Sequence, residues 1–387
     1  MITVKDFLLS LPKVSNHQES FDVFKQIYYN ESINYWLDMP KLLEYSNSIS
    51  LYRPDLISCG IRLNVQVNLF LKTIQKFDSS KLELVGNSIG CFGLTESNAG
   101  VLSGLIVETE YSYNQADDQI YLHKTPNGVF KNWISQGMFA EYIILFARNR
   151  YKKSQISVFL FKFDEYKDII SRQFKDGPII CNTLDVAEIR IEEDIVISKN
   201  CMLKGTQHVN KKDLLNGIYH GRWMIAEAIL HSVLGLLNYC QDVVIQKPKL
   251  GKFGEFLDKY KYNILNYISL MKESRSYCGD INIVNSFKID TIAKALDIYF
   301  HTSKVFGSYI LNYQLKYEDI LLNKIAEGDT DVLRYSLIHN EFKKGVVKNL
   351  FGPLGIIPAI GWFSPNYIKN NYIEISNLII KSNLSKL

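Results

Sequence analysis

The spacing of apolar residues changes twice along the chain. Residues 1–88 repeat them at intervals of three and four, as in SFDVFKQIYYNESINYWLDMPKLLEY and IRLNVQVNLFLKTIQKF, which predicts an N-terminal α-helical domain with breaks at Pro40 and Pro54. Over residues 89–204 the period falls to two. GLIVETEYSY, DQIYLHK, AEYIILFARN, QISVFLFKFD and AEIRIEEDIVI are runs of strand length, parted by turn chemistry such as NQADD and TPNG. No helix-length crossover separates them, so the pattern predicts a β domain of antiparallel type. Over residues 205–345 the helical period returns and lasts. YHGRWMIAEAILHSVLGLLNYC, EFLDKYKYNILNYISLM and IDTIAKALDIYFHTSKVFGSYIL carry it over several turns each, the pattern of a helical bundle. Residues 346–387 form a tail whose stretch LFGPLGIIPAIGWF is apolar but broken by Pro353 and Pro358, and such a tail is expected to pack on the bundle or on a neighbouring subunit. A doubly wound nucleotide fold would alternate strands with helices and usually carry G-x-G-x-x-G, and neither feature occurs.

Composition narrows the classes further. With 387 residues the chain is long enough for two or three structural units and an internal pocket. The 44 Lys and Arg nearly balance the 40 Asp and Glu and are spread along the chain, so no nucleic-acid partner is expected. Cys59, Cys91, Cys181, Cys201, Cys240 and Cys278 stand far apart, without C-x-x-C or Cys/His spacing. They read as buried thiols in a reducing compartment, and no metal site is expected; His220 and His231 lie too far apart along one helix to share an ion. No membrane association is expected either, because no run approaches the roughly 18 uninterrupted apolar residues of a span. The reading is a soluble intracellular protein. Its Ile, Lys and Asn richness points to an AT-rich bacterial genome and a cytoplasmic location; in a eukaryote the ending Ser385-Lys386-Leu387 would instead direct it to the peroxisomal matrix.

The chemistry-bearing residues cluster in three stretches. GCFGLTESNAG, Gly90 to Gly100, sets a Thr-Glu pair among glycines, and KNWISQG, Lys131 to Gly137, presents a Trp and a Ser after an intervening hairpin. AEGDTDVLRYSLI, Ala326 to Ile338, places Glu327 before Gly328. Taken singly, each has a plain reading: a turn, a core Trp, a carboxylate at a helix end. Their order, with a β domain between helical parts, resembles the acyl-CoA dehydrogenase and acyl-CoA oxidase superfamily of flavoproteins, over about Leu63 to Phe342.

That resemblance implies an α+β fold: an N-terminal α-helical domain, a central antiparallel β domain and a C-terminal four-helix bundle. It implies FAD as cofactor, with the Leu94 backbone and Thr95 hydroxyl on the flavin pyrimidine, Phe92 beside the ring, Trp133 flanking the isoalloxazine and Ser135 near N5. Donors placed there would stabilise the charge a reduced flavin gathers at its pyrimidine edge. The implied reaction is α,β-dehydrogenation of an acyl thioester, Glu327 removing the α-proton and the β-hydride passing to N5. Burial would raise the pKa of Glu327 as a base must have it.

The family's R-x-x-F-G segment, which reaches the cofactor diphosphate of a partner subunit, is here KPKLG, with Lys247 and Gly251; Lys keeps the charge and loses the bidentate fork. Of the paired glycines before the base segment only Gly307 remains. Ala326 replaces a Tyr and reshapes the acyl pocket, Gly328 follows the base, and Val101 replaces a Ser that helps hold CoA. Arg222 falls where the family often keeps an Arg near the substrate, with a structural role as an equal alternative, and the position serving as base in some branches is Gly221. These differences leave acyl-CoA and an acyl-carrier protein both open as substrate. They also leave open a dehydrogenase, an oxidase, an oxygenase on the same scaffold, and a non-catalytic binding scaffold. A homodimer or homotetramer is implied.

Overall fold

The structure is a computed structural model that describes residues 3–96, 107–175, 183–204, 206, 211–313, 315–325, 333–334, 336–338, 365–385 and 387. The chain divides into two compact units, residues 1–49 with 55–221 and residues 50–54 with 222–387.

The first unit opens with helices α1 (Val4–Ser10), α2 (His17–Tyr29), α3 (Ile33–Leu37) and α4 (Met39–Tyr52). Asn16 caps the start of α2, its Oδ1 accepting from the Glu19 N–H at 2.9 Å, while the Glu19 carboxylate accepts from the N–H of the preceding Ser15 at 2.9 Å. Pro40 sits in the first turn of α4, where its missing N–H is harmless, and Pro54 opens a short 3₁₀ turn. α5 (Ile57–Asn64), a π-helical segment Val65–Leu71 and α6 (Lys72–Asp78) then follow without a break, leading to α7 (Leu82–Val85). Arg62, Asn64, Gln66 and Asn68 are all buried in this continuous helix. Hydrophobic periodicity alone gives no sign of the wider π turns or of that polar row.

Among the described residues nine strands follow: β1 (Gly90–Gly93), β2 (Glu110–Asn114), β3 (Gln119–His123), β4 (Val129–Ser135), β5 (Tyr142–Asn149), β6 (Ile156–Lys162), β7 (Ile170–Phe174), β8 (Val186–Ile191) and β9 (Ile195–Ser198). They make a larger sheet in the order β1-β5-β2-β3-β9, with β6 on the other side of β5, and a small sheet β4-β8-β7. Most pairings are antiparallel, as the short connections require. β1 and β2 depart from this. Both lie parallel to β5, one against its beginning and the other against its end, and the described part of the chain between β1 and β5 holds strands β2, β3 and β4. The run AEIRIEEDIVI, which reads as one strand, is two, because Glu192–Asp194 turn the chain from the small sheet into the large one. Phe130, Ile134, Ile143, Leu145, Phe159 and Ile189 fill the core of the strand region.

The second unit takes in α8 (Lys211–Gln246) from Arg222 onward, with α9 (Gly254–Glu273), α10 (Ile281–Phe306), α11 (Tyr317–Ile325) and α12 (Pro365–Leu384). Residues Gly217–Gln246 are long and apolar enough for a membrane span by length and composition. They form instead a core helix whose Trp223, Leu230, Val233 and Leu237 are buried. Glu227, also buried, accepts from Trp223 Nε1 at 2.8 Å and from Arg275 in a bidentate pair at 3.1 and 2.9 Å. Gly307 ends α10 with φ +51°, a conformation open chiefly to glycine. In the predicted tail, α12 joins this unit: Asn383 bonds Ser286 of α10 at 3.1 Å, and Arg334 donates to Ser376 and Asn377.

Candidate functional site

The described part of the first stretch, Gly90–Glu96, is tied to the second at both ends, although β1 and β4 belong to different sheets. At one end Gln136 Nε2 donates to the Gly90 carbonyl at 2.6 Å, and at the other the Asn132 N–H donates to the Thr95 carbonyl at 2.9 Å. Gln66, from the π-helical segment, holds the same end of β1 by accepting from the Gly90 N–H at 2.9 Å and donating to the Ser88 carbonyl at 2.9 Å. Gly90 must be glycine, since a Cβ there would enter the Phe70 ring.

Between those two ties lies a buried ion pair, Lys131 with Glu96. The Glu96 carboxylate also accepts from the Thr109 N–H at 3.0 Å, the Thr109 hydroxyl at 2.6 Å and the Glu108 N–H, while Lys131 donates to the Phe146 carbonyl at 2.9 Å. Burial by itself would raise the Glu96 carboxyl, but the Lys131 charge and these hydrogen bonds outweigh it and hold the group below the usual glutamate range. Burial presses the Lys131 ammonium the other way, below the usual lysine range. With a carboxylate and a carbonyl both accepting from it, the ionised pair is the form that satisfies every group.

This clamp fixes what the neighbouring residues present. The β4–β8 register slips between Lys131 and Ile134, a bulge that places Trp133 at φ +59°. A left-handed Trp is uncommon and stores strain, and here it turns the indole outward, 55% exposed, with the Lys175 ammonium 5.4 Å from the ring centroid. The Thr95 hydroxyl, the Ser135 hydroxyl and the Trp133 indole N–H have no partner among the described residues, although the main chain around them is bonded. Leu94 is buried, its N–H turned back to the Phe92 carbonyl, and Phe92 is half-buried, edge-on to Phe146 at 4.9 Å. A flat exposed ring beside two uncommitted hydroxyls suits a planar heterocycle rich in acceptors, so this edge fits the flavin ring of FAD.

The remaining predicted residues separate. Lys247 is exposed just after α8, without an ion-pair partner among the described residues, and a Cβ at Gly251 would meet nothing within 4 Å. Arg222 is buried and donates to Asn285 Oδ1 at 2.9 Å, which commits it to the interior of the second unit. Val101, Ala326, Glu327 and Gly328 lie outside the described residues.

Sequence reasoning missed the polar supports. A Lys inside the apolar run GVFKNWI was a signal for a buried partner, whereas nothing marked Gln66 or the wholly buried Arg62–Asp185 pair, whose Asp185 also accepts from the Met138 N–H at 3.0 Å. Asn64 and Asn68 bond each other at 2.8 Å and face Gly221 and Gly217 of α8. A Cβ on Gly217 would lie 2.5 Å from the Asn68 carbonyl oxygen, a backbone atom with little freedom to retreat. Gly217→Ala is therefore expected to destabilise the protein by about 1–3 kcal/mol, measured by denaturant unfolding.

No protein-family model matches the sequence, and no curated protein sequence does. Solved structures do match. Butyryl-CoA dehydrogenase from Megasphaera elsdenii superposes with a TM-score of 0.71 at 17% identity, over 88% of this chain and 96% of that one. The chain has the acyl-CoA dehydrogenase fold. An FAD complex of PigA shares this acyl-CoA dehydrogenase-like fold with a TM-score of 0.70 at 12% identity, over 89% and 96% of the two chains. The prolyl acyl carrier protein oxidase AnaB matches at 0.64 and 15%, over 87% and 97%.

Proposed function

We propose that the protein is an FAD-dependent oxidoreductase that introduces an α,β double bond into an acyl thioester. The observation that carries this reading is the convergence of β1 and β4, which leaves the Thr95 and Ser135 hydroxyls and the Trp133 indole N–H without a partner among the described residues on one short edge. FAD, when bound, supplies the two-electron acceptor. Thr95 would donate to its pyrimidine edge, Ser135 would donate beside the reacting nitrogen, and Trp133 would cover the ring and exclude water. Glu327 would take the α-proton of the thioester, and the Glu327 N–H would hold the thioester carbonyl as charge develops on it. Lys247 would offer its ammonium to a cofactor diphosphate across a dimer or tetramer interface. The fold shared with a butyryl-CoA dehydrogenase and an acyl carrier protein oxidase supports thioesters as the substrate class, on CoA or on a carrier protein.

The purified protein, or the protein given FAD, is expected to show flavin absorption bands and to release FAD on denaturation. A chain that folds and stays colourless would refute the reading and leave a binding scaffold. Once FAD is bound, acyl-CoA and acyl-carrier-protein substrates are compared with and without an electron acceptor. Oxygen uptake without the acceptor would identify an oxidase.

A further inference from the structure

Three strands of the larger sheet carry a second constellation, away from β1 and β4. β2 pairs with β3 so that Glu110 faces His123 and Ser112 faces Tyr121; β3 pairs with β9 so that Leu122 faces Ile195. Alternation then sets Ser112 and His123 on one face as diagonal neighbours, and Asp194, the residue before β9, comes level with His123. The side chains meet in a row. Ser112 Oγ lies 2.8 Å from His123 Nε2, and His123 Nδ1 lies 2.7 Å from Asp194 Oδ2.

We propose that Ser112, His123 and Asp194 form a second catalytic site, a nucleophilic triad that takes acyl groups from small carboxylic esters and thioesters.

The roles follow from hydrogen-bond chemistry. An ionised Asp194 can only accept, so the bond at Nδ1 must be donated by the imidazole. Neutral His123 then carries its proton on Nδ1 and a lone pair on Nε2, the tautomer that accepts from the Ser112 hydroxyl. Asp194 is itself held in place, for its other oxygen accepts from the Lys124 N–H at 2.7 Å. Burial would raise the Asp194 carboxyl, yet the Lys124 N–H, His123 and the charge of Arg150 bring it below the usual aspartate range, so it is ionised at neutral pH. His123 is mostly buried, 14% exposed, and Ser112 is half-buried on a face open to solvent, so the base is shielded and the nucleophile reachable.

In the reaction, Ser112 Oγ bonds to the acyl carbon as its proton passes to His123 Nε2. The ester C–O or thioester C–S bond then breaks, the leaving group takes that proton, and water later hydrolyses the acyl-serine with His123 again as base. Tyr121, directly across from Ser112, has a hydroxyl without a partner among the described residues and is the donor available to the acyl oxygen.

The test uses the full-length protein and a fluorophosphonate probe, with the adduct located by peptide mass spectrometry and p-nitrophenyl acetate hydrolysis followed in parallel. The adduct is expected on Ser112, and Ser112→Ala is expected to lower both signals by about 100-fold. Asp194→Asn, which keeps the shape and removes the tautomer control, is expected to slow labelling of Ser112 at least about tenfold with an unchanged melting temperature. An adduct on another residue, wild-type labelling no faster than Ser112→Ala, or full reactivity in Asp194→Asn would each overturn the proposal. None of these readouts depends on bound FAD.

Discussion

Glu327→Gln is expected to lower turnover of an acyl thioester by about 10³- to 10⁴-fold while leaving FAD content unchanged. The amide keeps the size of the carboxylate and removes its ability to take a proton. Nothing else in the proposed scheme supplies a base: Gly221 has no side chain, and Arg222 is cationic and bonded to Asn285. Two measurements separate the outcomes. Stopped-flow bleaching of the flavin band by substrate reports the chemical step, and the absorbance ratio of the resting protein reports cofactor content. Bleaching at the wild-type rate would exclude α-proton abstraction by Glu327 and turn attention to an oxygenating reaction on the same scaffold.

Lys131→Met is expected to weaken both the fold and the flavin edge. It leaves the buried Glu96 carboxylate with donors from Thr109 and Glu108 but without a counter-charge. Breaking a buried pair on one side costs about 3 kcal/mol, which lowers the melting temperature by roughly 4 °C in a chain of 387 residues. Because Glu96 follows Thr95 and Lys131 lies two residues before Trp133, FAD affinity should fall with it, by titration of the apoprotein. The double variant Glu96→Gln/Lys131→Met removes both charges and is expected to recover most of the stability. A double variant as unstable as Lys131→Met would mean that packing, not charge, is what the pair contributes.

The pair also sets an acid limit. Glu96 has its pKa lowered on folding, so its contribution is complete above the ordinary glutamate value of 4.5 and disappears as pH falls through the depressed folded value. Wild type should therefore lose stability below about pH 4.5 more steeply than the double variant.

Some of this was legible before any coordinates. The change of period from helix to strand and back is an amphipathic signal, and a residue's face depends only on its neighbours along the chain, so the order of helical, β and helical regions could be read directly. Thr95, Trp133 and Ser135 stood out because polar and aromatic residues beside glycines break the local pattern. Lys131 and Glu96 were in plain view in the same two motifs, and the apolar run around Lys131 hinted at burial, but nothing local named Glu96 as its partner. AEIRIEEDIVI was misread because its alternation runs on through the turn at Glu192–Asp194.

The sequence by itself determined the fold class and the three regimes of the chain, and it singled out three stretches as candidate chemistry, because each depends on residues close together in the chain. The tertiary structure alone decided which of those residues meet. It set β1 and β2 parallel along β5, tied Gly90 to Gln136 and Thr95 to Asn132 across two sheets, and seated Glu96 on Lys131. It also aligned Ser112, His123 and Asp194 across three strands. Such pairings depend on register and on the burial of charges brought together from distant positions, and no local pattern encodes either.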